Sequence, residues 1–280
     1  MEKAINRYFP IFVLPTMIAF TLGFIIPFVE GVYLSFCKFT TVNDAKFVGF
    51  ANYAKVFTDE TFVHAFWYTA AFTVVSVILI NVLAFAVALL LTKGFKGTNI
   101  FRTVFFMPNL IGGIVLGYIW QLLLNGILMN FSRTLTYSST YGFWGLIILM
   151  CWQQIGYMMI IYIAGIQNIP GELIEAAEID GATKWQILKK VTIPMVMPSI
   201  TVCTFLTLTN SFKLFDQNLA LTNGEPSKMS EMLALNIFNT FYGRTGYEGV
   251  GQAKAVIFFI LVTVIALTQN YLTRRKEVQQ

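Results

Sequence analysis

Six long apolar stretches constrain this chain of 280 residues more than any other feature of its sequence. A helix needs about 20 mostly apolar residues to cross the hydrocarbon core of a membrane. The stretches cover residues 11–36, 67–92, 103–124, 143–166, 195–216 and 253–272. Only 12% of the residues are charged, whereas soluble domains carry about 25%. The sequence therefore predicts an integral membrane protein and excludes a soluble enzyme or a disordered chain.

The predicted fold is a bundle of six transmembrane helices, in one all-α domain that covers residues 1–280. Backbone groups in hydrocarbon must be satisfied within their own segment, which favours helices. The apolar runs also lack the ten-residue alternation of a transmembrane β-barrel. We expect Pro15, Gly23 and Pro27 to interrupt the first span and Pro108 to kink the third.

The basic residues predict the orientation of the spans. Cytoplasmic connections carry an excess of Lys and Arg, and eleven of the 19 basic residues fall at the two termini and in two connections. These eleven are Lys3, Arg7, Lys93, Lys96, Arg102, Lys184, Lys189, Lys190, Arg274, Arg275 and Lys276. Both termini are therefore expected in the cytoplasm. Because the charge is scattered between spans rather than gathered in a basic patch, the net charge of +5 does not indicate a nucleic-acid partner.

Motifs for an energy source or for catalysis are absent from the sequence. There is no GxxxxGK[ST] phosphate loop, so any nucleotide must bind another polypeptide. His64 is the only histidine and has no ligand cluster beside it, so neither a metal site nor a catalytic residue is predicted. Few ionisable residues lie in the spans, which disfavours ion coupling. Lys213 and Asp216 are three residues apart and predict a local ion pair.

The connection between the fourth and fifth spans, residues 167–194, is the most informative segment. Pro170 suits a helix start, and Gly181 suits the left-handed residue after a helix end. A second short helix is expected over residues 183–190, and Pro194 closes the loop. Ala176 and Ala177 leave a flat patch that another surface can approach closely.

This connection resembles the EAA loop of binding-protein-dependent ABC importer permeases. The residues are Glu175-Ala176-Ala177, three residues, Gly181, nine residues, Val191, one residue, and Ile193-Pro194. The family pattern is EAA-x3-G-x9-I-x-L-P, so Val191 and Ile193 are conservative departures. The resemblance implies a type I importer permease fold.

Further segments resemble the carbohydrate branch of that family. Residues 47–53 (FVGFANY) are similar to its FVGxxNY segment, residues 101–108 open the third span in its manner, and residues 221–226 are similar to its T-x-G-G-P stretch, with Glu225 in place of the second Gly. The FVGxxNY segment favours the first subunit of a permease pair.

The resemblance implies a transport subunit of a bacterial-type inner membrane, with no enzyme activity and no cofactor of its own. Its partners would be a second permease, two cytoplasmic ATPase subunits that hold ATP and Mg²⁺, an extracellular solute-binding protein, membrane lipid and a carbohydrate. The residues implied to couple it to the ATPase are Glu175, Ala176, Ala177, Asp180, Gly181 and Pro194.

Polar and aromatic residues in the fourth and fifth spans are the candidates for the substrate pathway. Amides and hydroxyls can bind sugar hydroxyls, and aromatic rings can stack on a pyranose. The candidates are Gln153, Gln154, Tyr157, Asn210, Ser211 and Phe212. Interhelical hydrogen bonding is the competing explanation for these residues, and it is preferred for Asn81, Asn109 and Gln121. Gly113 and Gly117 form a GxxxG pair that lets another helix approach closely.

Two other classes of function remain open from the residues. A membrane enzyme could use carboxylates alone, although no paired-carboxylate motif stands out. The chain could be a stand-alone channel or an ion-coupled carrier, although no internal repeat of the kind found in such carriers is evident. Within the importer class the solute could also be a polyol or a glycerol phosphate.

Overall fold

The computed structural model describes residues 2–94 and 96–274, and helices dominate it. Arg275 and Lys276, which contribute to the predicted orientation, lie outside the described residues. The α-helices are α1 Glu2–Phe20, α2 Ile26–Leu34, α3 Ala51–Phe57, α4 Glu60–Leu91, α5 Thr98–Phe106, α6 Gly113–Met129, α7 Ser139–Gln167, α8 Gly171–Ile179, α9 Lys184–Ile187, α10 Ile193–Met195, α11 Met197–Phe212, α12 Asp216–Leu221, α13 Leu233–Gly243 and α14 Glu248–Arg274.

Short irregular elements connect these helices. A two-stranded antiparallel sheet pairs β1 Cys37–Lys38 with β2 Lys46–Phe47. The 3₁₀ turns are Val42–Asp44, Met107–Leu110 and Leu135–Tyr137, and the π-helical segments are Thr21–Ile25 and Leu188–Thr192. The all-α prediction is confirmed.

Four helical segments are long and apolar enough to cross a membrane: Ile11–Leu34, Glu60–Leu91, Ser139–Gln167 and Glu248–Thr273. Two further candidates are broken. Thr98–Leu110 and Gly113–Met129 meet at 102°, and Lys184–Met195 and Met197–Phe212 meet at 69°. The described residues thus hold up to six spans, the predicted number, if each bent pair counts as one. The third and fifth differ from the continuous helices that the apolar stretches predict.

The two breaks have a common cause, because each lies close to proline. Pro108 has no backbone N–H and sits in the 3₁₀ turn that ends α5; Ile111 and Gly112 then adopt extended backbone before α6 begins. In the fifth span Pro194 cannot donate to the carbonyl of residue 190. The segment before it is π-helical, and the bend follows at Val196.

The chain forms two compact units, one of which comprises the described residues of Met1–Glu60 and Ile237–Ile260. The FVGxxNY segment ties this unit together. Asn52 donates its amide protons to the carbonyls of Ser35 and Cys37, at 2.9 and 2.8 Å. The hydroxyl of Tyr53 lies 2.7 Å from that of Ser35. The Asn52 bonds satisfy one carbonyl at the end of α2 and one in β1, so this segment serves the architecture.

A buried ion pair holds the start of α14 in the same unit. The ammonium of Lys254 lies 2.7 Å from the Asp59 carboxylate and donates to the Thr240 hydroxyl at 2.8 Å. Lys254 is fully buried.

Asp44 lies in the connection after β1, where hydrogen bonds from the backbone N–H groups of Thr40 and Thr41 hold the pKa of its carboxyl below the usual value.

The second unit comprises Thr61–Asn236 and the described residues of Leu261–Gln280. Its apolar core centres on α7, which contributes Leu146, Leu149, Met158 and other fully buried side chains. A polar network crosses this core: Tyr162 donates to Asn81 at 2.7 Å, and Asn81 donates to Thr207 at 3.3 Å. Asn81 therefore joins three helices, as its assignment to packing predicts.

Candidate functional site

A cavity of about 270 Å³ lies in the second unit, between α7, the end of α11 and the start of α12. Its lining residues are Met150, Gln154, Asn210, Lys213, Leu214, Phe215, Asp216 and Gln217. Two of the six pathway candidates, Gln154 on α7 and Asn210 on α11, are thus brought together from positions 56 residues apart in the sequence.

Two buried polar atoms at or beside this cavity have no hydrogen-bond partner among the described residues. One is Oε1 of Gln154, a residue that is only 8% exposed. The other is Oγ of Ser211, which follows Asn210 and is fully buried. Burying such an atom without a hydrogen bond costs about 1–3 kcal/mol. A hydroxyl-rich solute or water would satisfy Gln154.

Gln153 has a different environment from its neighbour. It accepts a hydrogen bond from Gln217 Nε2 at 2.8 Å and donates to the carbonyl of Ile111 at 3.3 Å. These bonds connect α7 to α12 and to the break before α6. Gln153 thereby positions Gln217 in the cavity wall rather than lining the cavity itself.

The two aromatic candidates do not line this cavity. Tyr157 is half-buried, and its ring centroid lies 6.4 Å from that of Phe106 on α5. Phe212 is 5% exposed. Stacking of either ring on a sugar therefore stays a prediction that this cavity does not support.

The predicted ion pair between Lys213 and Asp216 is wrong, since no ion pair joins them in the structure. Helix α11 ends at Phe212 with Lys213 as its cap, and Asp216 is the first residue of the separate helix α12. The three-residue spacing pairs side chains only on a continuous helix. Both residues line the cavity instead.

The GxxxG pair explains how α12 comes to lie here. A Cβ atom on Gly113 would be 2.7 Å from the Cβ of Asp216, and one on Gly117 would be 2.6 Å from the Cβ of Ala220. Contacts this short exclude any side chain at either glycine. The predicted close approach is confirmed, and the approaching element is the short helix α12. Gln121 adds a hydrogen bond to the Leu221 carbonyl at 3.1 Å.

Sequence reasoning missed Lys213, Asp216 and Gln217 as members of this site. The available signal was the polar cluster at residues 216–218, directly after an apolar span. Helix α12 has only six residues, which is too few for a helical hydrophobic periodicity to be recognised in the sequence.

The connection between α7 and α11 has the predicted two-helix form. Helix α8 ends at Ile179, and Gly181 has a φ of +78°. The N–H of Gly181 bonds to the Glu178 carbonyl and that of Ala182 to the Ala177 carbonyl, each at 3.0 Å. This pair of bonds is the Schellman motif, which needs a left-handed residue at this position.

The second helix of the connection starts with a capping box. Thr183 Oγ1 accepts from the N–H of Gln186, whose Oε1 accepts from the N–H of Thr183 at 2.7 Å. The helical run then continues through Pro194, which lies inside it instead of closing the loop.

Two large apolar side chains of this connection are mostly exposed. Ile179 is 86% and Trp185 68% exposed, at the end of α8 and in α9. Between the two helices lies a cavity of about 300 Å³, lined by Ala177, Asp180, Gly181, Ala182, Gln186, Ile187, Lys190 and Val191. Glu175 and Ala176 are exposed beside it.

Comparison with known proteins shows which family and which proteins this chain resembles. A model of the family described as "binding-protein-dependent transport system inner membrane component" matches residues 80–278. The chain is 42% identical over 278 residues to the probable starch degradation products transport system permease protein AmyD of Thermoanaerobacterium thermosulfurigenes, covering 96% of this chain and 94% of that one.

A second sequence relative and a solved structure agree with this family. The chain is 29% identical to the multiple sugar-binding transport system permease protein MsmF of Streptococcus mutans, over 99% of both chains. A crystal structure of a bacterial ABC transporter involved in the import of the acidic polysaccharide alginate has a chain of the same fold, with a TM-score of 0.82, 22% identity and 98% coverage of both chains.

These findings confirm the predicted importer permease fold, the membrane location and a transport subunit rather than an enzyme. The family match covers well over half of the chain and includes both the cavity and the two-helix connection. The chain belongs to the inner membrane components of binding-protein-dependent transport systems.

Proposed function

We propose that this chain is one permease subunit of an ATP-driven importer of carbohydrates that receives its solute from an extracellular binding protein. The names of AmyD and MsmF, which refer to starch degradation products and multiple sugars, support the carbohydrate class. The cavity between α7, α11 and α12 supports it chemically, because amide groups from three helices line it.

The observation that carries the proposal is the exposed two-helix connection. Ile179 and Trp185 expose large apolar side chains on a connection that the sequence predicts to be cytoplasmic, where lipid would not cover them. Glu175, Ala176, Ala177, Asp180, Gly181 and Pro194 are the residues proposed to couple this connection to a cytoplasmic ATPase. Ile179 and Trp185 are proposed to be the apolar side chains through which this connection binds the ATPase.

In this proposal ATP and Mg²⁺ bind to two ATPase subunits and not to this chain. Closure of the ATPase dimer would pull on the connections of two paired permeases and switch the pathway between inward-open and outward-open. Both termini and residues 167–194 would then lie in the cytoplasm, as the distribution of basic residues predicts.

The substrate pathway is proposed to pass the cavity at Gln154 and Asn210, with Ser211 beside it. Gln153 contributes by holding Gln217 in the wall. Tyr157 and Phe212 remain candidates for other points along the pathway.

The proposed coupling is tested with Gly181→Val in the assembled transporter. A β-branched residue strains the left-handed backbone, so sugar uptake should fall about tenfold or more while ATP hydrolysis persists. Gly171→Val is the matched control: a Cβ added to either glycine would meet no other part of the described structure within 4 Å, but only Gly181 has a positive φ. Equal uptake in the two variants would contradict the coupling role.

The partner proposal is tested by purification. A tagged chain should co-purify with an ATPase and a second permease, and transport in proteoliposomes should require ATP and a binding protein. ATP-independent transport by this chain alone would support a stand-alone carrier and overturn the proposal.

The pathway is tested with Gln154→Ala and Asn210→Ala. Each should change the rate or the sugar preference of uptake by several-fold, since each removes hydrogen bonds to sugar hydroxyls. Gln269→Ala removes an amide whose bond runs to the backbone carbonyl of Thr201, outside the cavity and away from α12, and it should leave the preference unchanged. Wild-type preference in both cavity variants would remove these residues from the pathway.

A further inference from the structure

The wall of the cavity at Gln154 and Asn210 contains two charged side chains, Lys213 and Asp216. Neither the ammonium of Lys213 nor the carboxylate of Asp216 has a hydrogen-bond or ion-pair partner among residues 2–94 and 96–274. Ionisable groups within a membrane bundle are costly unless they are paired or line a hydrated or ligand-binding cavity. Lys213 is exposed and Asp216 half-buried where they line the cavity, so both can bind what the cavity holds.

The backbone keeps the two charges apart. Lys213 caps the end of α11, whereas Asp216 begins α12 and packs against Gly113, the first residue of α6. A Cβ atom on Gly113 would lie 3.1 Å from Asp216 Oδ2. The partial positive charge at the start of the long helix α6 favours the carboxylate in this place.

The chemistry of the lining defines what can bind. A carboxylate accepts hydrogen bonds from two adjacent hydroxyls, and an ammonium donates to hydroxyl oxygens. Gln154 adds a buried acceptor that lacks a partner among the described residues, and Asn210 and Gln217 add amides. The two charges sum to zero. An anionic group would be attracted by Lys213 but repelled by Asp216 in the same cavity.

We propose that this cavity selects neutral sugars over acidic or phosphorylated ones, with Asp216 and Lys213 as specificity-determining residues that bind neighbouring hydroxyls. The proposal rests on the proposed function and narrows its substrate class. It also assigns part of substrate recognition to the short helix α12, which the GxxxG pair of α6 brings into the cavity wall.

The test measures binding to the purified full transporter without a binding protein. The probes are maltotriose and the same trisaccharide with one primary alcohol oxidised to a carboxylate, observed by saturation-transfer NMR and titration. The wild type should prefer the neutral probe. Asp216→Asn should lower that preference about tenfold, because it removes the repulsion of the acidic probe, and tenfold corresponds to about 1.4 kcal/mol. Lys213→Met should raise the preference, because it removes the attraction of the acidic probe.

Damage to the fold would weaken the binding of both probes together. Shifts of the preference in opposite directions in the two variants would therefore indicate a change in specificity. Lys46→Met removes an exposed lysine far along the chain and should leave the preference unchanged. An unchanged preference in both cavity variants, a wild-type preference for the acid, or no binding of either probe would overturn the inference. ATP-dependent sugar uptake by the same preparation would show that the proposed function survives; its absence with every sugar tested would show that it does not.

Discussion

Two lysine–aspartate combinations in this protein have opposite environments. Lys254 is fully buried and lies 2.7 Å from Asp59, with Thr240 as a further partner. Lys213 and Asp216 are closer in sequence, yet they form no pair and line a cavity. A charge that is fully compensated by its own protein stabilises one arrangement of helices. A charge left open to a cavity remains available to a ligand, so we assign the first combination to architecture and the second to recognition.

The largest expected loss of stability comes from disrupting the Lys254–Asp59 ion pair. Lys254→Met leaves the Asp59 carboxylate, which is 19% exposed, without its counter-charge. Removing one partner of a buried pair costs about 3–5 kcal/mol, so the variant should denature at a clearly lower temperature in detergent. Replacing both residues, as Lys254→Met with Asp59→Leu, should recover much of the loss. A single variant as stable as the wild type would remove the distinction between the two combinations.

The next effect concerns the helix that carries Asp216. Gly117→Leu places a side chain where Ala220 of α12 already lies, and overpacking of this kind costs about 1–3 kcal/mol. We expect lower thermal stability together with loss of the sugar preference. Gly126→Leu on the same helix meets no atom within 4 Å of its new Cβ and serves as the control. Similar behaviour of the two variants would argue against close packing of α12 on α6.

A smaller effect is expected at Gln153. Alanine there removes the bonds to Gln217 and to the Ile111 carbonyl. Interhelical hydrogen bonds in membranes contribute about 0.6 kcal/mol each, so denaturation should shift only slightly. Sugar preference should weaken as well, because Gln217 loses its support. Full retention of that preference would mean that Gln217 needs no positioning.

The smallest effect is expected from Lys213→Met on stability. Its side chain is exposed to the cavity and has no partner among the described residues, so the free energy of unfolding should stay within about 0.5 kcal/mol of the wild type. Thermal denaturation in detergent measures this directly. A loss comparable to that of Lys254→Met would show that Lys213 is structural and would break the comparison.

Local features of the fold followed from local chemistry. The left-handed Gly181, the helix before it and the capped helix after it depend on residues within a few positions of one another, so this part of the connection could be predicted. The expected end of the loop at Pro194 was wrong, because the helical run continues through it. The FVGxxNY segment was different: the resemblance identified it, but its purpose depends on Asn52 reaching two carbonyls 15 and 17 residues away.

The candidate site was predicted only in part, for the same reason. Gln154 and Asn210 could be named because polar residues stand out within apolar spans. Their meeting at one cavity, the separate role of Gln153 and the membership of Lys213, Asp216 and Gln217 depend on where α12 folds back. The expected Lys213–Asp216 pair failed because it assumed one continuous helix through residue 216.

The sequence by itself determined that the chain lies in a membrane, that it is helical, where its six candidate spans are and that a two-helix connection joins two of them. Hydrophobicity, helix capping and backbone preferences determine these features because they act over short distances. The tertiary structure alone decided which polar groups are satisfied. It paired Lys254 with Asp59 across 195 residues and left Lys213 and Asp216 open three residues apart. Whether a charge finds a partner depends on distances in space, and those are fixed only when the helices pack.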